Sequence, residues 1–201
     1  KKKVIADRAL ILVNEVFGNQ AQYGGAVIVV GVLFYSLQQY CDFSGGIDTM
    51  LGISQMLGLR LSENFDRPYF SESVQEFWRR WHISLSSWFR DYLYIPLGGS
   101  RTTKFRHIRN ILVVWLATGL WHGAAWNFLI WGLYFGILLI IEKVWLYRHL
   151  EKSSVLSRVY LMFLVIIGFV IFNAGSMSEL WEYFGAMFGL TDIPFISDEC
   201  I

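Results

Sequence analysis

Charge is scarce in this 201-residue chain: 16% of its residues are Asp, Glu, Lys or Arg, against roughly a quarter in a soluble domain. With 55% hydrophobic and 17% aromatic residues, the composition excludes an ordinary soluble domain and is that of a membrane protein. The 17 Lys+Arg and 16 Asp+Glu leave a formal net charge of +1, so nucleic acid is not expected as a partner. Only two cysteines, Cys41 and Cys200, are present; they form no spacing pattern, which excludes a disulfide framework and leaves the redox compartment open. The histidines, cysteines and scattered acids have no metal-ligand spacing, so no metal is expected. There is no glycine-rich phosphate loop after a strand and no G-x-S-x-G turn, so nothing suggests covalent serine chemistry. No internal repeat, low-complexity tract or linker divides the chain. The opening "KKKVIADRALILVNEVFG" lacks a cleavage-site pattern, and the expectation is a fragment with further spans ahead of Lys1.

Long apolar runs are present instead. Residues 24–41, "GGAVIVVGVLFYSLQQYC", come close to the roughly 20 residues that cross a hydrocarbon core of about 30 Å. Beyond this span the tail turns polar; Asp42 and Asp48 are costly against lipid, and each either lines a protein passage or caps a helix after "SGG". Residues 111–141 carry no formal charge and as one helix would reach about 46 Å, too long for one ordinary crossing. The break is expected at "GLWHGAAW", where Gly119 and Gly123 bracket His122, the sole ionisable residue of the run. A first piece of about 17 Å reaches half a bilayer and puts His122 near its middle. A third crossing is read at 159–172, and "ELWEYFGAMFGL" (179–190) as a short interfacial or re-entrant helix. The fold class is all-α: one polytopic helical membrane domain over 1–201, with interfacial and broken helices.

Residues 77–110 hold seven basic residues and one acid, Asp91, whereas 176–201 hold five acids and no base. That asymmetry is what the positive-inside bias produces and puts the basic stretch on the cytoplasmic face, although the lysines at the start fit this topology poorly. Within it, Phe77, Trp81, Leu85, Trp88 and Tyr92 fall in about an 80° sector of a helical wheel, opposite Arg79, Ser86 and Arg90. Ser73 and Glu76 make a capping box, and Pro96 disfavours helix at Ile95. The pattern predicts one interfacial helix over 74–94, with His82 at the edge between its faces and Arg80 and Asp91 on one side as a structural pair.

The phrases "WRRWH" and "GLWHG" each end in tryptophan–histidine. Imidazole takes and releases a proton near neutral pH, which acyl transfer to an alcohol requires. Taken bare, a histidine in an apolar run is more often a hydrogen-bonded structural residue, and the reading from depth alone stays open. His107 and His149 fall in basic loops and read as solvated.

The blocks "DFSGGID" (42–48), "ENFDRPYF" (63–70), "EFWRRWHISLSSWFRDYLYIPLGGSR" (76–101) and "GLWHGAAWNFLIWG" (119–132) resemble the membrane-bound O-acyltransferases. The nearest branch is that of alginate O-acetylation, with teichoic acid D-alanyl transfer further off. The resemblance covers most of the chain, as the family's carboxy-terminal half. It implies a tunnel in which a cytoplasmic acyl donor meets an acceptor hydroxyl, with His122 and His82 at the positions of the family's catalytic and second characteristic histidines. Gly46 stands where many relatives have an aromatic residue.

On this resemblance His122 is the general base, and His82 orients the acceptor or the first imidazole, or donates to the oxyanion. Arg79, Arg80 and Arg90 either hold donor phosphates or bind anionic lipid headgroups. Asp91, Asp42, Asp48, Trp121 and Asn127 complete the candidate binding residues. The implied activity is O-acetylation of an exported polysaccharide, alginate or another envelope polymer, at the bacterial inner membrane. No permanently bound cofactor is expected, and acetyl-CoA or another acyl thioester serves as donor substrate. Membrane lipids, the polymer and an extracytoplasmic acetyltransferase- or esterase-like protein are the expected partners. The alternative from another class is a channel or flippase-like subunit with no transferase chemistry.

Overall fold

In the computed structural model the apolar runs are helices, and no β-strand occurs among the described residues, which are 1–19, 22–150, 152–191, 193, 195 and 196. The α-helices are α1 (Asp7–Gly18), α2 (Gly25–Met56), α3 (Val74–Arg80), α4 (Ile83–Phe89), α5 (Lys104–His122), α6 (Trp126–Ile141), α7 (Tyr147–Leu150), α8 (Ser154–Asn173) and α9 (Met177–Met187). Gly25–Met56, Trp126–Leu146 and Ser154–Asn173 are long and apolar enough to cross a membrane. Lipid offers the backbone no hydrogen-bond partner, so such segments satisfy it internally as helices. The all-α membrane-protein expectation holds. The chain divides into two compact units, Lys1–Arg60 with the segment from Phe169 onward, and Leu61–Gly168.

In the first unit, α1 buries Ala9, Val13, Val16 and Phe17, a face set by spacings of three and four. Gly31 of α2 admits this face: a Cβ there would lie 2.6 Å from Val16 Cγ1. Phe17 meets Tyr183 of α9 edge-on at 4.9 Å and Tyr35 of α2 at 5.7 Å. The expected short helix near 179–190 is α9, started by Ser176, whose hydroxyl accepts the Glu179 N–H at 3.2 Å. Cys41 is a buried free thiol, and Cys200 lies outside the described residues.

The structure corrects the reading of residues 42–56. The helix does not end near Cys41 but continues to Met56, so neither Asp42 nor Asp48 caps a helix after "SGG". Lys1 pairs with Asp48 at 2.8 Å and Lys2 with Asp42. Gly45 admits the Lys2–Ala6 turn, since a Cβ on Gly45 would lie 3.0 Å from the Lys2 nitrogen. An interior glycine costs about 1 kcal/mol of helix propensity; here the close approach of a neighbouring turn accompanies it. The lysines that fitted the topology poorly thus have their own carboxylates.

In the second unit, α5 and α6 form a tight hairpin. Glycine makes it possible: a Cβ on Gly119 would lie 2.4 Å from the Phe128 carbonyl oxygen, and one on Gly132 2.3 Å from that of Trp115. The break falls where expected. Helix α5 ends at His122, Gly123 and Ala125 are extended, and α6 begins at Trp126. At the far end Asn110, fully buried, donates to the carbonyls of Leu97 and Gly99 at 3.0 and 3.2 Å. It thereby ties down the turn in which Gly98 and Gly99 take φ of 102° and 54°, values that favour glycine.

Candidate active site

The predicted helix over 74–94 is interrupted. Helix α3 stops at Arg80, Trp81 is extended, His82 is left-handed at φ 47°, and α4 restarts at Ile83 before a π-helical turn over Arg90–Tyr94. A non-glycine residue in this region costs roughly 1–3 kcal/mol and persists only where the surroundings impose it. Here "ENFDRPYF" imposes it. Phe65 and Trp81 form an antiparallel bridge; the Asp66 N–H donates to the Arg80 carbonyl at 2.9 Å and the Ile83 N–H to the Asn64 carbonyl at 3.1 Å. These bonds take up backbone groups that a continuous helix would pair internally.

The aromatic face divides accordingly. Phe77 and Trp81 are buried, stacked on each other at 5.5 Å, with Trp81 also against Phe65 and Tyr69. Trp78 inserts between α5 and α6, 4.9 Å from Trp115, 5.4 Å from Trp131 and 4.9 Å from Phe135. Trp88 and Tyr92, 53% and 70% exposed, are the part of the stripe left for a lipid interface. Aromatic periodicity served protein packing over α3 and an outer surface only beyond it.

Helix α3 is seated from its start. Its N–H groups at Val74 and Gln75 donate to the carboxylate of Glu142 at 2.8 and 3.2 Å, while the Ser73 hydroxyl accepts the Glu76 N–H at 3.1 Å. The Glu76 carboxylate accepts from Glu72 N–H at 2.7 Å rather than from Ser73. Glu142 is 2% exposed, and a buried carboxylate on helix N–H donors is a strong, charge-assisted arrangement. Glu142→Ala would leave those donors without their acceptor and is expected to destabilise the protein by about 2–4 kcal/mol. Glu142→Gln, which retains an acceptor oxygen, should recover part of this. Thermal unfolding of detergent-solubilised full-length protein would measure both.

His82 and His122 meet at one indole. Trp121 lies 6.1 Å from the His82 ring and edge-on at 4.9 Å from the His122 ring. Phe128 at 6.3 Å and Trp131 at 5.0 Å complete an aromatic enclosure around His122. Burial holds His82 below its ordinary 6.5, favouring the neutral ring. Two half-buried imidazoles beside one exposed indole can take a proton from a hydroxyl and steady its oxygen.

Of the other predicted residues, Asn127 is buried in the first turn of α6. Arg80 does not pair with Asp91: it binds Glu76 at 2.6 Å, one turn back, while Asp91 is held by the adjacent Arg90 through bonds of 2.7 and 3.1 Å. The interruption at His82 abolishes the common helix face that would have joined Arg80 to Asp91. Arg79 is exposed and in no ion pair among the described residues. Asp42 and Asp48 belong to the first unit. His107 and His149 lie on α5 and α7 rather than in loops; Tyr94 Oη and Lys143 Nζ approach His107 Nε2 at 3.0 and 3.1 Å. Asn64, Asn110 and Glu142 escaped the sequence reading. Glu142 alone had a signal, an acid at the end of an uncharged run.

Residues 19–186 match the family described as MBOAT, membrane-bound O-acyltransferase family. The chain is 44% identical over 193 residues to "Probable alginate O-acetylase AlgI" of Azotobacter vinelandii, covering 96% of this chain and 38% of that protein. It is 44% identical over 189 residues to the protein of the same name from Pseudomonas aeruginosa, with 94% and 36% covered. To the "Peptidoglycan O-acetyltransferase" of Helicobacter pylori it is 35% identical over 197 residues, with 96% and 37% covered. It thus spans less than half the length of these relatives. The match over most of the chain, with both tryptophan–histidine motifs inside it, establishes that the chain belongs to the membrane-bound O-acyltransferase family.

Proposed function

We propose that the full-length protein is a multi-pass inner-membrane O-acyltransferase that moves an acyl group, acetyl by analogy with its relatives' names, from a cytoplasmic thioester such as acetyl-CoA to hydroxyls of an exported polysaccharide. The observation that carries this is the pair of imidazoles on Trp121 at a helix interruption. His122, deep in the bilayer, takes the hydroxyl proton as the oxygen bonds to the acyl carbonyl carbon. The C–S bond then breaks, and the proton passes to the departing thiolate. His82 steadies the hydroxyl or the first imidazole. Relatives named for alginate and for peptidoglycan support a polymer acceptor, and an extracytoplasmic acetyltransferase- or esterase-like partner completes delivery.

The basic stretch faces the cytoplasm, where Arg79 offers a guanidinium for a donor phosphate or lipid headgroup. Arg90, already engaged in a two-bond pair with Asp91, is the poorer candidate. Because the neutral form of His82 is favoured, activity should hold as pH falls through the ordinary histidine value of 6.5 and decline only below it. A rate–pH profile measures this.

The deciding experiment supplies the full-length protein in membranes with a thioester labelled in its acyl group, and measures label on the polymer. Transfer dependent on both histidines supports the enzyme. Passage of label or polymer without ester formation would replace it with a conduit.

A further inference from the structure

Asn64 sits at the centre of the clasp that interrupts the helix. Its side-chain carbonyl oxygen lies 3.1 Å from the Ser84 backbone nitrogen, 2.6 Å from the Ser84 hydroxyl and 3.3 Å from His82 Nδ1. A backbone N–H can only donate, so the amide atom facing Ser84 is oxygen, not nitrogen. An amide oxygen carries no proton; His82 Nδ1, bonded to that same oxygen, must supply one. A neutral imidazole has a single N–H, so its other nitrogen, Nε2, bears the lone pair.

We propose that Asn64 is a positioning residue for acyl transfer. It fixes the Nδ1–H tautomer of His82, so that Nε2 offers only a lone pair: this histidine orients the His122 imidazole by accepting from its N–H, which leaves the other nitrogen of that ring to take the hydroxyl proton, and it does not donate to the oxyanion. This rests on the acyltransferase reading above and narrows the role of His82 within it. The geometry supports the assignment independently of that role. The backbone of Asn64 is anchored by its bond to Ile83 and by the adjoining Phe65–Trp81 bridge, and its side-chain oxygen is held by the Ser84 backbone N–H and hydroxyl. The choice of amide has chemical sense: a carboxylate in its place would favour imidazolium, whereas a neutral acceptor orients the ring without charging it. The elements packed against His82 carry His122 on α5, Glu63, Asp66 and Arg67 around Asn64, and Arg79 and Arg80 on α3, the last neutralised by Glu76.

The test uses full-length protein in membranes, with rate–pH profiles for Asn64→Asp, Asn64→Ala, His82→Asn and His122→Ala. Asn64→Asp retains the acceptor oxygens and is expected to move the acid limb to higher pH by about one unit or more, the effect of an opposite charge beside the ring. Asn64→Ala should lower kcat about tenfold, the worth of one hydrogen bond of about 1 kcal/mol or slightly more. Its donor KM should be little changed and its acid limb not raised. An Asn64→Asp profile superimposable on the wild type overturns the proposal, since a structural role alone would alter protein amount without moving the limb. If Asn64→Ala does not accumulate, the Asn64→Asp profile decides by itself. Loss of activity in both histidine variants alongside an unshifted Asn64→Asp profile would sink Asn64 alone, whereas full activity in both would sink the acyltransfer reading of the histidines.

Discussion

Replacing His122 with alanine is expected to lower acyl transfer by about a hundredfold or more, the usual contribution of a positioned general base, while the protein still reaches the membrane. The ring is half-buried among Trp121, Phe128 and Trp131, so alanine also opens a small void. His122→Gln, nearer in volume, separates the two effects. If chemistry is what is lost, both variants are inactive and only alanine is mildly less stable. Normal polymer esterification by either variant would remove His122 from the mechanism. His82 calls for a different substitution, because its backbone is left-handed. Asparagine tolerates that conformation better than most residues, so His82→Asn removes the imidazole with the least strain.

Gly132→Val should have the largest effect on folding. A Cβ at this position would lie 2.3 Å from the Trp115 carbonyl oxygen and 3.2 Å from its carbonyl carbon. Because that obstacle is helix backbone rather than a flexible side-chain tip, the α5–α6 hairpin must part. Overpacking costs typically about 1–3 kcal/mol and occasionally more, and here the parting would also pull Trp78 out of contact with Trp115 and Trp131. The expected result is little folded protein after mild detergent extraction. Gly52→Ala is the control: nothing lies within 4 Å of its Cβ, so it should accumulate normally. Equal yields for the two would show that the hairpin has slack the close contacts do not suggest.

Much of this was legible without coordinates. An uncharged run too long for one crossing had to break, and the glycines flanking His122 marked where. Ser73, followed three residues later by glutamate, marked the start of α3. The family resemblance pointed to both histidines. The continuation of α2 was not legible, because "SGG" followed by aspartate reads locally as a stop, and the groups that accompany its continuation, Lys1 and Lys2, lie about forty residues away. Nor was Glu142 as the seat of α3, since its donors are 67 and 68 residues distant.

Residue pattern was enough to establish an all-α membrane chain, a broken hairpin and a histidine at the break, because spacing, capping and glycine act within a turn or two of helix. The left-handed turn at His82, its meeting with His122 across Trp121 and its bond to Asn64 required the folded chain. A regular aromatic period runs straight through residues 77–92, and it is interrupted by hydrogen bonds from a segment some fourteen to twenty residues upstream. Local periodicity carries no record of such bonds.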